Sequence, residues 1–195
     1  MKRKPVIRYN SPVVLTFALI SLASLAAGKL TGGISTSLLF CVYRSPFSDP
    51  LTYLRFFTHV FGHANLTHYM SNILLILVVG PSLEEKYGSR AMLISIAVTA
   101  LITGLFQFIV FPHTALLGAS GIVFMMIVMS SLAGFEDGTV PLTLILVTIL
   151  YLGNELVAGF TVSDNISQVT HIIGGICGAL LGLMLAKKRL RGKYL

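Results

Sequence analysis

The sequence predicts an all-α membrane protein, a bundle of six transmembrane helices, and three observations carry that prediction. The 195 residues are 55% hydrophobic and only 11% charged, against about 25% charged in an ordinary soluble domain. Mean hydropathy is +0.86, an excess that no core can absorb, because a small domain must still cover itself with polar surface. The charges are also segregated: residues 9–28, 56–83, 91–135, 138–154 and 165–186 contain no Asp, Glu, Lys or Arg. Water-soluble globular, disordered and coiled-coil classes are excluded.

A membrane-crossing helix needs about 20 apolar residues. The first run supplies a span over roughly 11–28. Its basic start, MKRK, is also that of a signal peptide, but a charge-free stretch of 20 residues exceeds the usual apolar core of about 7–15, so it is read as a retained helix. Residues 29–62 form the one long connection, and Phe40, Tyr43, Phe47, Tyr53, Phe56 and Phe57 suit an interfacial loop, partly embedded. The second span is expected over 64–81, ending at Pro81. The run 91–135 is too long for one helix; Phe111-Pro112-His113 and Gly118-Ala119-Ser120-Gly121 divide it into spans at 90–111 and 120–134. Spans at 140–160 and 168–187 complete the set. The organisation is an N-terminal tail (1–10), one six-helix domain (11–187) and a basic C-terminal tail (188–195), without internal repeats.

Six spans place both termini on one side. Lys2, Arg3, Lys4, Arg8, Lys86, Arg90, Lys187, Lys188, Arg189, Arg191 and Lys193 lie there, 11 of the 14 basic residues, and only Lys29, Arg44 and Arg55 lie opposite. The excess of Lys and Arg in cytoplasmic segments then puts the termini in the cytoplasm; the acidic Glu136-Asp137 loop counts little. The net charge of +7 is read as topology and as anchoring to anionic lipid headgroups, not as a nucleic-acid surface. Cys41 and Cys177 form no CxxC and have no Cys/His metal spacing, so neither a disulfide framework nor a zinc site is indicated.

Polar residues at membrane depth are costly, and by default mark function. His68, Ser120 and His171 each lie 16 residues from a cytoplasmic charge, Glu84, Glu136 and Lys187 respectively. At about 1.5 Å per residue all three sit about 24 Å above that boundary, and Asn72 about 18 Å. Three helices can therefore bring polar groups to one level. Gly174, Gly178 and Gly182 line one face of the sixth span, and small residues at that spacing let helices approach closely. If the fourth span packs there, His171 comes within reach of Ser120. Ser120 opens a helix, where free N–H groups favour an anion, and it needs a base to become a nucleophile. His68 and Asn72, four residues apart on one helix face, can donate to an oxyanion with the Ser120 backbone N–H.

Blander readings stand beside these. A serine at a helix start is commonly an N-cap, and a membrane histidine commonly bonds a carbonyl or serves a proton path. His59 and His63 are read as loop-packing residues, and Met125, Met126 and Met129 as core. Glu155, inside the fifth span, is assigned no catalytic role. Taken together, Ser120, His171, His68 and Asn72 favour a functional site.

These residues also resemble a known family. Gly118-Ala119-Ser120-Gly121 resembles the GxSG motif of rhomboid intramembrane serine proteases. Thr170-His171 through Gly174 and Gly178 resembles their HxxGxxxG motif, and His63 through Asn72 their HxxxxHxxxN stretch. The likeness covers nearly the whole chain and is to the bacterial GlpG type, without the additional cytoplasmic N-terminal domain of some relatives. It implies a six-helix fold, a Ser120–His171 dyad without a third acid, oxyanion binding by His68, Asn72 and the Ser120 N–H, and supporting roles for Gly118, Gly121, Phe124, Gly174 and Gly178. Phe124 falls where many relatives have a tyrosine stacked on the catalytic histidine, and can stack without donating a hydrogen bond. Leu54-Arg55 departs from the family's Trp-Arg pair, and Glu84 through Gly88 resembles its turn between the second and third helices. The resemblance implies no metal or organic cofactor. Its partners would be transmembrane protein substrates in a bacterial inner membrane, reached from an outward-opening site, with the fifth span and the 161–167 loop as moving parts.

Overall fold

The computed structural model describes residues 9–136 and 165–193, together with five helical positions at 142, 145, 146, 149 and 150. Seven α-helices are defined among these residues: α1 (Pro12–Leu30), α2 (Ile34–Leu39), α3 (Pro50–Thr58), α4 (Leu66–Tyr87), α5 (Ser89–Val110), α6 (Ser120–Glu136) and α7 (Asn165–Lys193). A 3-10 turn, His59–Phe61, follows α3. Four helical stretches are long and apolar enough to cross a membrane: Pro12–Leu30, Leu66–Tyr87, Ser89–Val110 and Val169–Lys187. Ser120–Ala133 is apolar but shorter.

The expected span at 140–160 falls almost entirely outside the described residues, as do Glu155 and most of the 161–167 loop. Of that span, Leu142, Ile145, Leu146, Ile149 and Leu150 are helical and exposed, at the spacing of one helix face. The N-terminal basic residues Lys2, Arg3, Lys4 and Arg8 also lie outside. At the other end, helix continues through Lys193 where a tail was expected from 188, and α7 begins at Asn165, three residues early.

Each long helix is buried on one side only. Leu19 and Leu22 of α1, Leu74 and Val78 of α4, Ile109 of α5, and Leu180, Leu183 and Met184 of α7 are all exposed. In water such faces would drive association; in a bilayer they meet acyl chains. α6 is the exception, with Ile122, Val123, Met125, Met126, Ile127 and Met129 all buried. A helix apolar on every side belongs at the centre of a bundle, and α6 packs against α4, α5 and, most extensively, α7. The three methionines are packing residues.

The second span differs from its expected end. Pro81 removes one helical hydrogen bond and crowds the preceding turn, yet α4 runs on to Tyr87. The extra turn is held by tertiary contacts. Glu84 is buried, and its carboxylate accepts from Val13 N (3.0 Å), Val14 N (2.9 Å) and Ser89 Oγ (2.7 Å). It caps the free N–H groups of α1, whose own N-cap residue, Ser11, makes no side-chain cap bond. Glu84 through Tyr87 are therefore the last turn of α4, and Gly88, at φ 87°, is the joint to α5. Tyr69 OH also reaches Ala18 O at 3.3 Å, joining α4 to α1.

The long connection after α1 is folded onto the bundle. Arg55 is buried at its centre: Nε donates to Leu38 O (2.9 Å), Nη1 donates to Ser45 Oγ (3.2 Å) and pairs with Asp49 (3.1 Å), and the guanidinium lies 4.6 Å from the Tyr43 ring centroid. Phe47 and Phe56 pack on Phe108 of α5, at 5.2 and 5.3 Å between ring centroids. The expected interfacial loop is an ordered, aromatic-anchored element.

Candidate functional site

The connection between α5 and α6 delivers Ser120, and three ties hold it. Val42 and Leu116 form an antiparallel bridge with both N–H···O contacts at 2.9 Å. Gln107, 1% exposed, donates from Nε2 to Thr114 Oγ1 (2.9 Å) and Thr114 O (3.3 Å). Gly118 N donates to His59 O at 3.0 Å. Helical bonding then starts with Val123 N to Ala119 O, which leaves Ser120 as the first residue of α6, half-buried.

Gly118 has φ +131°, a conformation open to glycine, and a Cβ there would lie 2.9 Å from both Cε1 and Nε2 of His68. The His68 imidazole thus rests against the backbone just before Ser120. It comes from the first turn of α4, where the Asn65 side chain caps the helix by accepting from His68 N at 2.8 Å. Asn72 follows one turn later, 1% exposed, with Nδ2 donating to His68 O at 3.0 Å.

On the other side, α6 and α7 approach backbone to backbone. A Cβ on Gly174 would collide with the Gly121 carbonyl, and one on Gly178 with the Met125 carbonyl. Thr170 lies alongside Gly121, its Cγ2 3.4 Å from where a Gly121 Cβ would stand. His171, 6% exposed, is one turn before Gly174, and its ring stacks on Phe124 at 4.4 Å between centroids and 12° between planes. The glycine seam therefore brings the stretches carrying Ser120 and His171 to the same end of the α6–α7 pair. His68 reaches the same end through Gly118.

The His59 side chain is held elsewhere, whereas the His63 ring stands edge-on to that of His68 at 5.1 Å between centroids. His59 is buried between α3 and α5, Nδ1 3.1 Å from Arg55 O and Nε2 3.3 Å from Thr103 Oγ1. Burial lowers it to about 4, against the opposing pull of the Arg55 and Phe56 carbonyls, so its ring is neutral. Its main chain positions Gly118, a role that residue types do not reveal. Gln107 carries a weak signal in the sequence, as the single carboxamide of the 90–111 span. Glu84 and the Val42–Leu116 bridge carry none, because each depends on which helices become neighbours.

Lipid-facing apolar helices around a buried polar cluster define the class: a multi-pass membrane protein with a serine and a histidine gathered on one helix seam. The rhomboid domain family matches residues 50–188, and the chain belongs to the rhomboid family. It is similar to the rhomboid protease GlpG of Salmonella choleraesuis (strain SC-B67), 29% identical over 140 residues, covering 69% of this chain and 50% of that protein. The rhomboid-related protein 1 of Caenorhabditis elegans is 28% identical over 144 residues, 67% of this chain and 39% of its own. The chloroplastic rhomboid-like protein 11 of Arabidopsis thaliana is 24% identical over 148 residues, 68% and 52% respectively. The chain thus spans about half the length of the curated relatives it matches. Relatives from plant, animal and bacterium establish the family without singling out the GlpG type.

Proposed function

We propose that this chain is an intramembrane serine endopeptidase that cleaves peptide bonds in or near transmembrane segments of membrane-protein substrates. The observation that supports it most is the α6–α7 seam: Gly174 against Gly121, with His171 stacked on Phe124 one turn away. In this reading Ser120 Oγ attacks the scissile carbonyl and His171 takes its proton. His68, Asn72 and the Ser120 N–H donate to the oxyanion. His171 then protonates the departing amine as the C–N bond breaks, and water hydrolyses the acyl-enzyme. Gly118 and Gly121 allow the approaches this needs, and Gly178 extends the seam.

Six spans complete the reading, with the fifth at 140–160 and the termini in the cytoplasm of a bacterial inner membrane. The site opens outward to obtain water, which hydrocarbon cannot supply. In this reading the domain is of the bacterial GlpG type. A fluorophosphonate probe on the detergent-solubilised protein tests the dyad: wild type should label, and Ser120→Ala and His171→Ala should each abolish labelling. Labelling that persists in both variants would overturn the assignment.

A further inference from the structure

A groove of about 280 Å³ lies between the first halves of α1 and α5, two helices long and apolar enough to cross a membrane. Thr16, Phe17 and Ile20 line it from α1, and Leu93 and Ile96 from α5. Phe61 completes the lining, packed on Phe17 at 4.8 Å between ring centroids. Thr16, Ile20 and Leu93 are exposed, so the groove opens on the outside of the bundle. Both helices set out from one level, because the Glu84 carboxylate joins Val13 N and Val14 N, in the first turn of α1, to Ser89 Oγ at the start of α5. Ile20, eight residues into α1, lies about 12 Å deeper at about 1.5 Å per residue. The groove therefore extends through most of one leaflet of a hydrocarbon core about 30 Å thick.

The mouth of the groove is polar. Arg90, exposed in the first turn of α5, stands one turn before Leu93 on the same helix face. No hydrogen bond or ion pair engages its side chain among the described residues. Its charged neighbours along the chain are directed elsewhere. Glu84 is buried under the three hydrogen bonds just named, and Lys86 donates to Ala133 O at 2.7 Å. Glu85 is exposed but belongs to α4, which contributes no residue to the groove. On the α1 side, Tyr9 Oη and Thr16 Oγ1 lie 2.9 Å apart. Two hydroxyls use one proton between them, so the second O–H can donate to an ester carbonyl.

These features limit the occupant. A helix about 10 Å across does not fit a recess of this volume, whereas a single hydrocarbon chain does. An empty apolar recess beside acyl chains would forfeit their dispersion contacts. A guanidinium matches phosphate oxygens through its planar fork, and its charge favours a headgroup of net negative charge. We propose that the α1–α5 groove is a binding site for an anionic phospholipid. One acyl chain lies between the two walls, the phosphate sits on Arg90, and the glycerol ester meets Tyr9 and Thr16. The site is independent of the proteolytic reading.

The chain contains no tryptophan, so a single introduced one reports on its own surroundings. Tryptophan is placed in turn at Ile20→Trp and Leu93→Trp in the groove, and at Leu74→Trp on the exposed face of α4. Each full-length variant is reconstituted in vesicles of fixed phosphatidylethanolamine-to-phosphatidylglycerol ratio, with bromine on the acyl chains of one lipid at a time. Quenching then gives the relative affinity of the two lipids at each position. Phosphatidylglycerol should be favoured by roughly 5-fold at both groove positions, the scale set by one basic side chain at a membrane surface, and not at Leu74→Trp. The preference should disappear when Arg90→Gln is added and persist with Arg90→Lys, which keeps the charge. Equal quenching by both lipids in the groove would mean that hydrocarbon fills it without selection of a headgroup, and overturns the proposal. A preference of the same size at Leu74→Trp, or one that survives Arg90→Gln, would reflect general attraction to a basic protein and overturns it too. Groove positions quenched by neither lipid would be covered by protein, which excludes a lipid site.

Discussion

At Gly118 two constraints act on one residue. Its φ of +131° disfavours any side chain, and its missing Cβ is the space in which the His68 ring lies. Gly118→Ala would strain the backbone before Ser120 and push His68 away. Under the proposed mechanism this misplaces an oxyanion donor, an effect worth about 10²–10³ in rate when a donor is lost outright. A partial displacement should lower the rate of fluorophosphonate labelling by roughly 10- to 100-fold while the protein still folds, read by labelling kinetics beside a detergent melting curve. A labelling rate within two-fold of wild type would show that the His68–Gly118 contact does not matter. Ser120, His171, His68 and Asn72 were legible in the sequence because uncharged polar residues in apolar runs are conspicuous. Phe124 stacked on His171 was legible only through family likeness. The service of the His59 carbonyl to Gly118 was not legible at all, since every residue has a carbonyl.

Among the elements, the seam between α6 and α7 separates two adjacent glycines. A Cβ on Gly174 collides with the Gly121 carbonyl, a backbone atom that cannot turn aside, whereas one on Gly175 meets only Val128 Cγ2 at an ordinary 3.7 Å. Gly174→Ala should therefore destabilise the protein by about 3 kcal/mol, the upper part of the usual cost of overpacking, and weaken labelling of Ser120. Gly175→Ala should be neutral or slightly stabilising, by up to about 1 kcal/mol, because alanine is the better helix former. Unfolding midpoints in detergent check both; equal effects would mean that α6 and α7 are not packed through Gly174. The periodic glycines predicted a close seam with the fourth span only as a conditional partner, and α6 is that partner. The end of α4 went the other way: Pro81 argued for a stop, and the Glu84 carboxylate, bonded to Val13 N, Val14 N and Ser89 Oγ, carries the helix past it.

For the whole molecule, acid should be destabilising through two buried histidines. His59 and His63 are both lowered to about 4, chiefly by burial, and an exposed histidine titrates near 6.5. Between these values the unfolded chain binds more protons than the folded one, so stability rises with pH across that window. The contribution is fully present above about pH 6.5 and is lost as pH falls towards 4, to the extent of roughly 3 kcal/mol per residue. Unfolding midpoints in detergent should be lower at pH 5 than at pH 7.5, and His59→Gln should flatten the difference. A midpoint that rises on acidification would contradict the buried neutral state of these rings.

The same division holds for the fold. Composition and the position of every charge determined by themselves that this chain enters a membrane several times, because bilayer insertion is decided locally, by some 20 consecutive residues at a time. The polar residues out of place in those runs nominated the site by the same local logic. Only the tertiary structure decided which helix buries all its faces, how the first loop and Gln107 hold the segment before Ser120, and what caps α1. Those outcomes depend on contacts between residues tens of positions apart, and a local pattern carries no information about which distant surface it will meet.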